Sequence, residues 1–258
     1  MMNRLFFVLL MSLLLTACVT TKDASFTDKA DPVAARQKYT QLGLAYIKQG
    51  DTVRAKQPLA RALEIDPKSP EVHSALAYLF QVEKEPDRAD EHFQTALKFG
   101  PDNTAIRNNY AAFLYSEKRY AVACEQLQIA AKDALYDFRS SVFENLGYCH
   151  LQQNQQAEAL TAFDRAIDIN ANQAGALRES AILHYEKGDK EISSRYYSRY
   201  HQLVRLGSAS HTAASLWLGI RLARDEGDED AEASRLLLLK NLFPDSQEYR
   251  LARASSTP

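Results

Sequence analysis

The 258-residue chain is 46% hydrophobic and 25% charged, the proportions of a soluble protein long enough to bury an extended core. Its formal net charge of −2 excludes the strong positive excess of a nucleic-acid-binding surface. Only 9 glycines stand beside 13 tyrosines and 11 phenylalanines, which suits stacked helices better than sheets.

Residues 1–17 read as an export signal. Arg4 is their only charge, and Leu5 to Leu15 is an apolar run of eleven interrupted by Ser12 alone. That run is too short to span a bilayer as a helix. Without the signal the chain keeps 30 basic and 33 acidic residues, a net charge of −3. Leu15-Thr16-Ala17-Cys18 resembles the bacterial lipobox, which implies cleavage before Cys18 and acylation of that cysteine. Val19 stands where an aspartate is associated with inner-membrane retention, so the resemblance implies lipid anchoring in the outer membrane, facing the periplasm. A multiply acylated terminus holds stably because each buried methylene contributes about 0.8 kcal/mol, whereas a single chain is marginal. Residues 18–35 are polar, with Phe26 their one aromatic, and are expected to form a lipidated flexible tether. Near its end, Asp31-Pro32 offers an N-cap followed by proline at the first helical position.

From Arg36 the chain repeats itself every 34 residues. Tyr39, Leu42, Gly43, Tyr46, Ala55, Leu59, Ala62 and Pro67 are matched, 34 positions on, by His73, Leu76, Ala77, Phe80, Ala89, Phe93, Ala96 and Pro101. This is the tetratricopeptide pattern of paired helices, A and B, with small residues where the two cross. Leu42, Gly43 and Tyr46 share one face of helix A, while Ala55, Leu59 and Ala62 share one face of helix B. The pattern continues with wear. A third repeat keeps Tyr110, Ala111, Leu114, Ala123, Leu127 and Ala130, then gains two residues around Leu135-Tyr136 that lengthen its closing turn. The fourth keeps Phe143, Leu146, Gly147, His150, Ala159, Phe163 and Ala166. In the fifth, Ser180-Ala181 replaces the Leu-Gly pair and Tyr197 and Tyr200 take helix B positions. After the small-residue loop Gly207-Ser208-Ala209-Ser210, a sixth carries Leu218-Gly219, Leu222, Ala231, Leu238 and Pro244. The expected fold is all-α, a right-handed superhelical solenoid of about six tetratricopeptide repeats over residues 36–246. The repeats lie near 36–69, 70–103, 104–139, 140–173, 174–207 and 212–246, and residues 247–258 are expected to form a C-terminal tail that frays from Ala252 to Pro258.

No catalytic constellation assembles: the chain lacks a glycine-rich phosphate loop, HExxH and GxSxG. The expected activity is therefore not enzymatic, with no cofactor and no metal. Of six histidines, His73, His150 and His184 fall on framework positions, where packing is the expected role. Cys124 on helix B of the third repeat and Cys149 on helix A of the fourth lie on helices that pack together. In an exported protein they are expected to form a disulfide, with two buried free thiols as the alternative. The charge run Asp225 to Asp230 reads as a solvated turn between helices. Among Arg195, Arg199, Arg205, Tyr196, Tyr197 and Tyr200, the tyrosines are expected to pack between repeats and the arginines to stay in water.

The A helices of such a solenoid line its concave face, chiefly through repeat positions 2, 5, 9, 12, 13 and 16. Here these include Leu44, Ile47, Tyr78, Gln81, Val82, Asn108, Tyr115, Tyr148, Leu151, Ile182 and Tyr185. The lining is apolar and aromatic and lacks the Lys and Asn set that grips a terminal carboxylate in chaperone-binding members. It suits an apolar segment of a protein partner.

A lipobox followed by six tetratricopeptide repeats resembles the type IV pilus biogenesis lipoproteins of the PilF/PilW family, the pilotins of the pilus secretin. Asn108-Asn109-Tyr110, Leu216-Trp217-Leu218-Gly219-Ile220, Phe243-Pro244-Asp245-Ser246 and Glu248-Tyr249 carry the resemblance beyond the generic repeat. Ala111 and the worn fifth repeat depart from it. The resemblance implies a non-enzymatic outer-membrane lipoprotein that helps secretin subunits reach the outer membrane and assemble into their multimeric pore, and the chain itself is expected to be a monomer. The other reading is a general periplasmic adaptor lipoprotein that scaffolds cell-envelope enzymes.

Overall fold

The computed structural model of the protein describes residues 31–255. The signal, Cys18 and most of the tether lie outside the described residues. Thirteen helices and no strand occur among those described. Six antiparallel pairs follow one another: α1 (Pro32–Lys48) with α2 (Thr52–Ile65), α3 (Pro70–Val82) with α4 (Pro86–Phe99), and α5 (Thr104–Ser116) with α6 (Tyr120–Ala130). Then come α7 (Arg139–Gln152) with α8 (Gln156–Ile169), α9 (Ala174–Lys187) with α10 (Lys190–Arg205), and α11 (Ala213–Glu226) with α12 (Glu229–Leu242). A short α13 (Gln247–Ala254) closes the stack.

Local chemistry accounts for the boundaries. Asp31, Asp51, Ser69, Asn103, Thr212, Asp228 and Ser246 each accept a backbone N–H at the start of the helix they cap. Pro32 occupies the first helical position, so α1 begins four residues before the period predicts and takes in the end of the tether segment. The turn from A to B passes through a left-handed residue in every repeat, filled by Gly50, Gly188 and Gly227 or by Lys84, Lys118 and Asn154.

The small residues of the period are the contact points of each pair. A Cβ on Gly43 would lie 2.5 Å from Leu59, and one on Gly147 would lie 2.5 Å from Phe163. Ala77, Ala111 and Ala181 hold the equivalent place elsewhere and are fully buried. Successive A helices also touch one another, and the buried side chains form four clusters that follow one another along the solenoid. The sulfurs of Cys124 on α6 and Cys149 on α7 are bonded at 2.10 Å, with the Cα atoms 5.7 Å apart, and link the third repeat to the fourth. In the fifth pair, Tyr197 and Tyr200 are buried, and Ser193 fills the small-residue place with its hydroxyl donating to the Ala181 carbonyl at 2.7 Å. Arg195 and Arg205 are exposed.

Two expectations need correction at the C-terminal end. Leu238 is a partly exposed residue; the fully buried leucine of α12 is Leu239. One turn before, Arg235 stands where the other repeats place Leu, Phe or Tyr, and donates to the Gly219 carbonyl at 2.8 Å. The second correction concerns the tail. Residues 247–254 form α13, and Ala252 is fully buried in a cluster with Leu216, Ile220 and Leu239. The last full repeat would otherwise expose this apolar end, and α13 covers it as the first helix of a further repeat would.

Candidate functional site

The concave face is built by the A helices and divides into two connected parts. A cleft of about 580 Å³ spans α1, α3 and α5. Leu44, Ala75, Tyr78, Ile106 and Ala112 line it, Phe93 of α4 reaches its floor, and Lys48, Glu71 and Gln81 bring polar groups. Tyr78 is 38% exposed, a large aromatic left open to solvent. Ala112 continues into a smaller recess of about 130 Å³ lined by Ala111, Tyr115, Leu127, Asn145 and Tyr148. Tyr115 packs edge-on to Tyr120 with centroids 5.1 Å apart, and burial raises its pKa. Asn145 donates to the side-chain oxygen of Asn108 at 3.1 Å, which makes Asn108 part of the wall between repeats three and four.

Farther along, the surface turns polar. The Tyr148 ring stands edge-on to Phe163, and its hydroxyl accepts from the Arg178 guanidinium at 2.8 Å. Burial pushes the Tyr148 phenol far above its ordinary range. Burial opposes the charge of Arg178, yet Glu179, paired with it at 2.7 Å, and Tyr148 leave its pKa raised. Glu144 accepts the Ala176 backbone N–H at 2.8 Å and the Gln173 amide at 2.6 Å. The Tyr185 hydroxyl donates to Asp225 at 2.8 Å, and Arg221 lies 4.4 Å from its ring centroid.

The predicted lining therefore divides. Leu44, Tyr78, Tyr115 and Tyr148 line one open surface across four repeats. Ile47 does not: it is 3% exposed and belongs to the core where α1 packs on α3. Val82 is exposed at the end of α3, beyond the residues that line the cleft. Leu151 and Ile182 are half-buried against the cores of the later repeats, and Tyr185 is held by Asp225. The charged residues Glu144 and Arg178 were missed, although they occupy position 5 of their repeats, the same position that singled out Asn108. The histidines are packing residues: His73 and His184 are buried, and His73 Nδ1 lies 2.9 Å from His92 Nδ1. No group of three or more His, Cys, Asp or Glu among the described residues could hold a metal. The arrangement offers shape, apolar area and paired charges, which is the equipment of a binding surface.

The tetratricopeptide repeat family profile matches residues 39–69 and 140–173. The type IV pilus assembly protein PilF of Pseudomonas aeruginosa is 43% identical over 245 residues, which cover 94% of this chain and 95% of PilF. The chain belongs to the PilF/PilW family. The solved structure of Pseudomonas aeruginosa PilF superposes with a TM-score of 0.82 and covers 87% of this chain and 99% of the other. PilW, described as a widely conserved type IV pilus biogenesis factor, superposes with a TM-score of 0.69 at 27% identity, covering 84% of this chain and 97% of its own. This PilF/PilW-family chain thus shares its fold with both relatives over most of its own length and nearly all of theirs.

Proposed function

We propose that this protein acts in type IV pilus biogenesis as an outer-membrane lipoprotein, anchored through Cys18, whose concave groove holds a segment of the secretin subunit. By holding that segment it helps the subunit reach the outer membrane and assemble into the multimeric secretin. The role is binding rather than catalysis. The observation that carries this reading is the open apolar surface of Leu44, Tyr78, Tyr115 and Tyr148 in a chain whose relative PilF is a type IV pilus assembly protein. Tyr78 and Tyr115 are the anchors to test, since neither is held by an ion pair.

The experiment is the double change Tyr78→Ala with Tyr115→Ala, read by secretin multimers and surface pili. Truncating an interface anchor typically costs about 1–3 kcal/mol, so the double variant is expected to lose most secretin multimers while keeping native helix content. Normal multimers from a folded double variant would place the secretin elsewhere. Recovery of peptidoglycan hydrolases in place of secretin from the wild-type protein would favour the adaptor reading.

A further inference from the structure

The two edges of the solenoid differ in chemistry. The A-to-B turns form one edge, whose turn residues are polar: Gln49-Gly50-Asp51, Glu83-Lys84-Glu85, Glu117-Lys118-Arg119, Gln153-Asn154-Gln155, Gly188-Asp189 and Gly227-Asp228, with the small side chains Val53 and Val82 exposed beside them. The opposite edge, where B helices end and the next A helices begin, exposes Phe99, Leu135, Phe138, Ile169 and Leu206. Leu135 is 92% exposed and Phe138 is 64% exposed, and both stand in the long connection 131–138 that interrupts the repeat period.

That connection is held in shape. Asp133 accepts the Leu135 backbone N–H at 3.0 Å and the Thr104 hydroxyl at 2.6 Å. Arg139 donates to the Ala131 carbonyl at 3.0 Å, and the rings of Tyr136 and Phe138 meet edge-on at 5.8 Å. This fixed loop presents a leucine and a phenylalanine to solvent three residues apart, beside other exposed apolar side chains of the same edge, and grouped exposed apolar surface marks interaction sites.

We propose that this edge rests on the lipid bilayer, with Leu135 and Phe138 entering its surface. The inference rests on the proposed acylation of Cys18. Helix α1 begins on the same edge as the 131–138 connection, since both precede A helices that run in parallel down the stack. From Cys18 to Asp31 the chain reaches at most about 45 Å and enters the solenoid at this edge, so the anchor lets this edge meet the membrane. Exposed Lys98, Lys132 and Arg205 on this edge are offset by exposed Asp102 and Asp168, so the edge has no strong charge of either sign. Asp137 is exposed in the same connection, so the apolar side chains supply the main attraction. In this orientation the polar A-to-B edge faces the periplasm and the groove opens sideways.

The test uses the full acylated protein in phosphatidylethanolamine–phosphatidylglycerol vesicles that contain brominated phosphatidylcholine. Leu135→Trp and Phe138→Trp are compared with Val53→Trp, a 78% exposed position beside the polar edge, after subtracting the emission of the single native Trp217. Flotation with the vesicles reports the anchor independently. The expected result is flotation of all three variants, with a blue shift and bromine quenching at 135 and 138 and neither at 53. Flotation with quenching at 135 and 138 no greater than at 53 overturns the docked edge and leaves the anchor standing. Failure to float overturns the anchor, and the docking with it.

Discussion

Glu144 of the fourth repeat caps a helix of the fifth: its carboxylate accepts the Ala176 backbone N–H at 2.8 Å. Gln173, at the N-cap position of α9, makes no side-chain cap of its own, and its amide instead donates to Glu144 at 2.6 Å. A Cβ on Gly175 would lie 2.1 Å from the Glu144 carboxylate and 2.5 Å from the Tyr148 hydroxyl, so this close approach requires glycine between the cap and the groove. Losing a cap typically costs about 1 kcal/mol. Glu144→Ala is expected to lower the urea-unfolding free energy by that amount, with protection lost first at the start of α9 in hydrogen exchange. Unchanged stability and protection would show that the cap contributes nothing.

The Cys124–Cys149 bond closes a loop with a sequence separation of 25 between helices of adjacent repeats. On the chain-entropy account such a cross-link stabilises by about 3 kcal/mol. Reduction, or Cys124→Ser with Cys149→Ser, is expected to lower the unfolding free energy by that order without changing helix content. Peptide mass spectrometry under non-reducing conditions should recover the two cysteines joined.

The His73–His92 contact makes stability depend on pH. His73 Nε2 lies 3.0 Å from the Pro67 carbonyl and donates to it, so its Nδ1 accepts the Nδ1–H of His92 at 2.9 Å. Burial, and then the neighbouring His73, hold the pKa of His92 below the ordinary 6.5. The unfolded chain therefore binds the extra proton first. Stability is full above about pH 6.5 and falls as pH drops from there toward the lower folded value. Burial lowers His201 and His211 in the same direction. His92→Gln is expected to flatten part of the loss in urea midpoint on going from neutral to mildly acidic buffer. An unchanged pH profile would assign the dependence to the other two histidines.

Ala252 is fully buried where α13 meets α11 and α12. Ala252→Asp would bury a carboxylate there, at a cost above the about 1–3 kcal/mol of an unpaired amide or hydroxyl, and α13 is expected to undock. The readout is early proteolysis within residues 247–254 together with a lower unfolding midpoint. Native resistance in the variant would mean that the cap is dispensable.

Periodicity alone determined most of this architecture. The matched small and large positions of repeats one, two and four need only neighbours a turn or two apart, so a 34-residue spacing sufficed to place Gly43 against Leu59 and Gly147 against Phe163. The same counting brought Leu44, Tyr78, Tyr115 and Tyr148 to one face, because successive A helices run in parallel. What it could not decide were contacts between side chains far apart in the chain. Ile47 and Tyr78 both fit the concave pattern, yet the packing of α1 on α3 closes over the first and leaves the second open. Arg178 reaches back 30 residues to Tyr148, and α13 folds onto Leu216 and Ile220 more than 30 residues upstream. Burial at such places is set by which surfaces remain uncovered once all the repeats have stacked, a property of the assembled solenoid that no single 34-residue window contains.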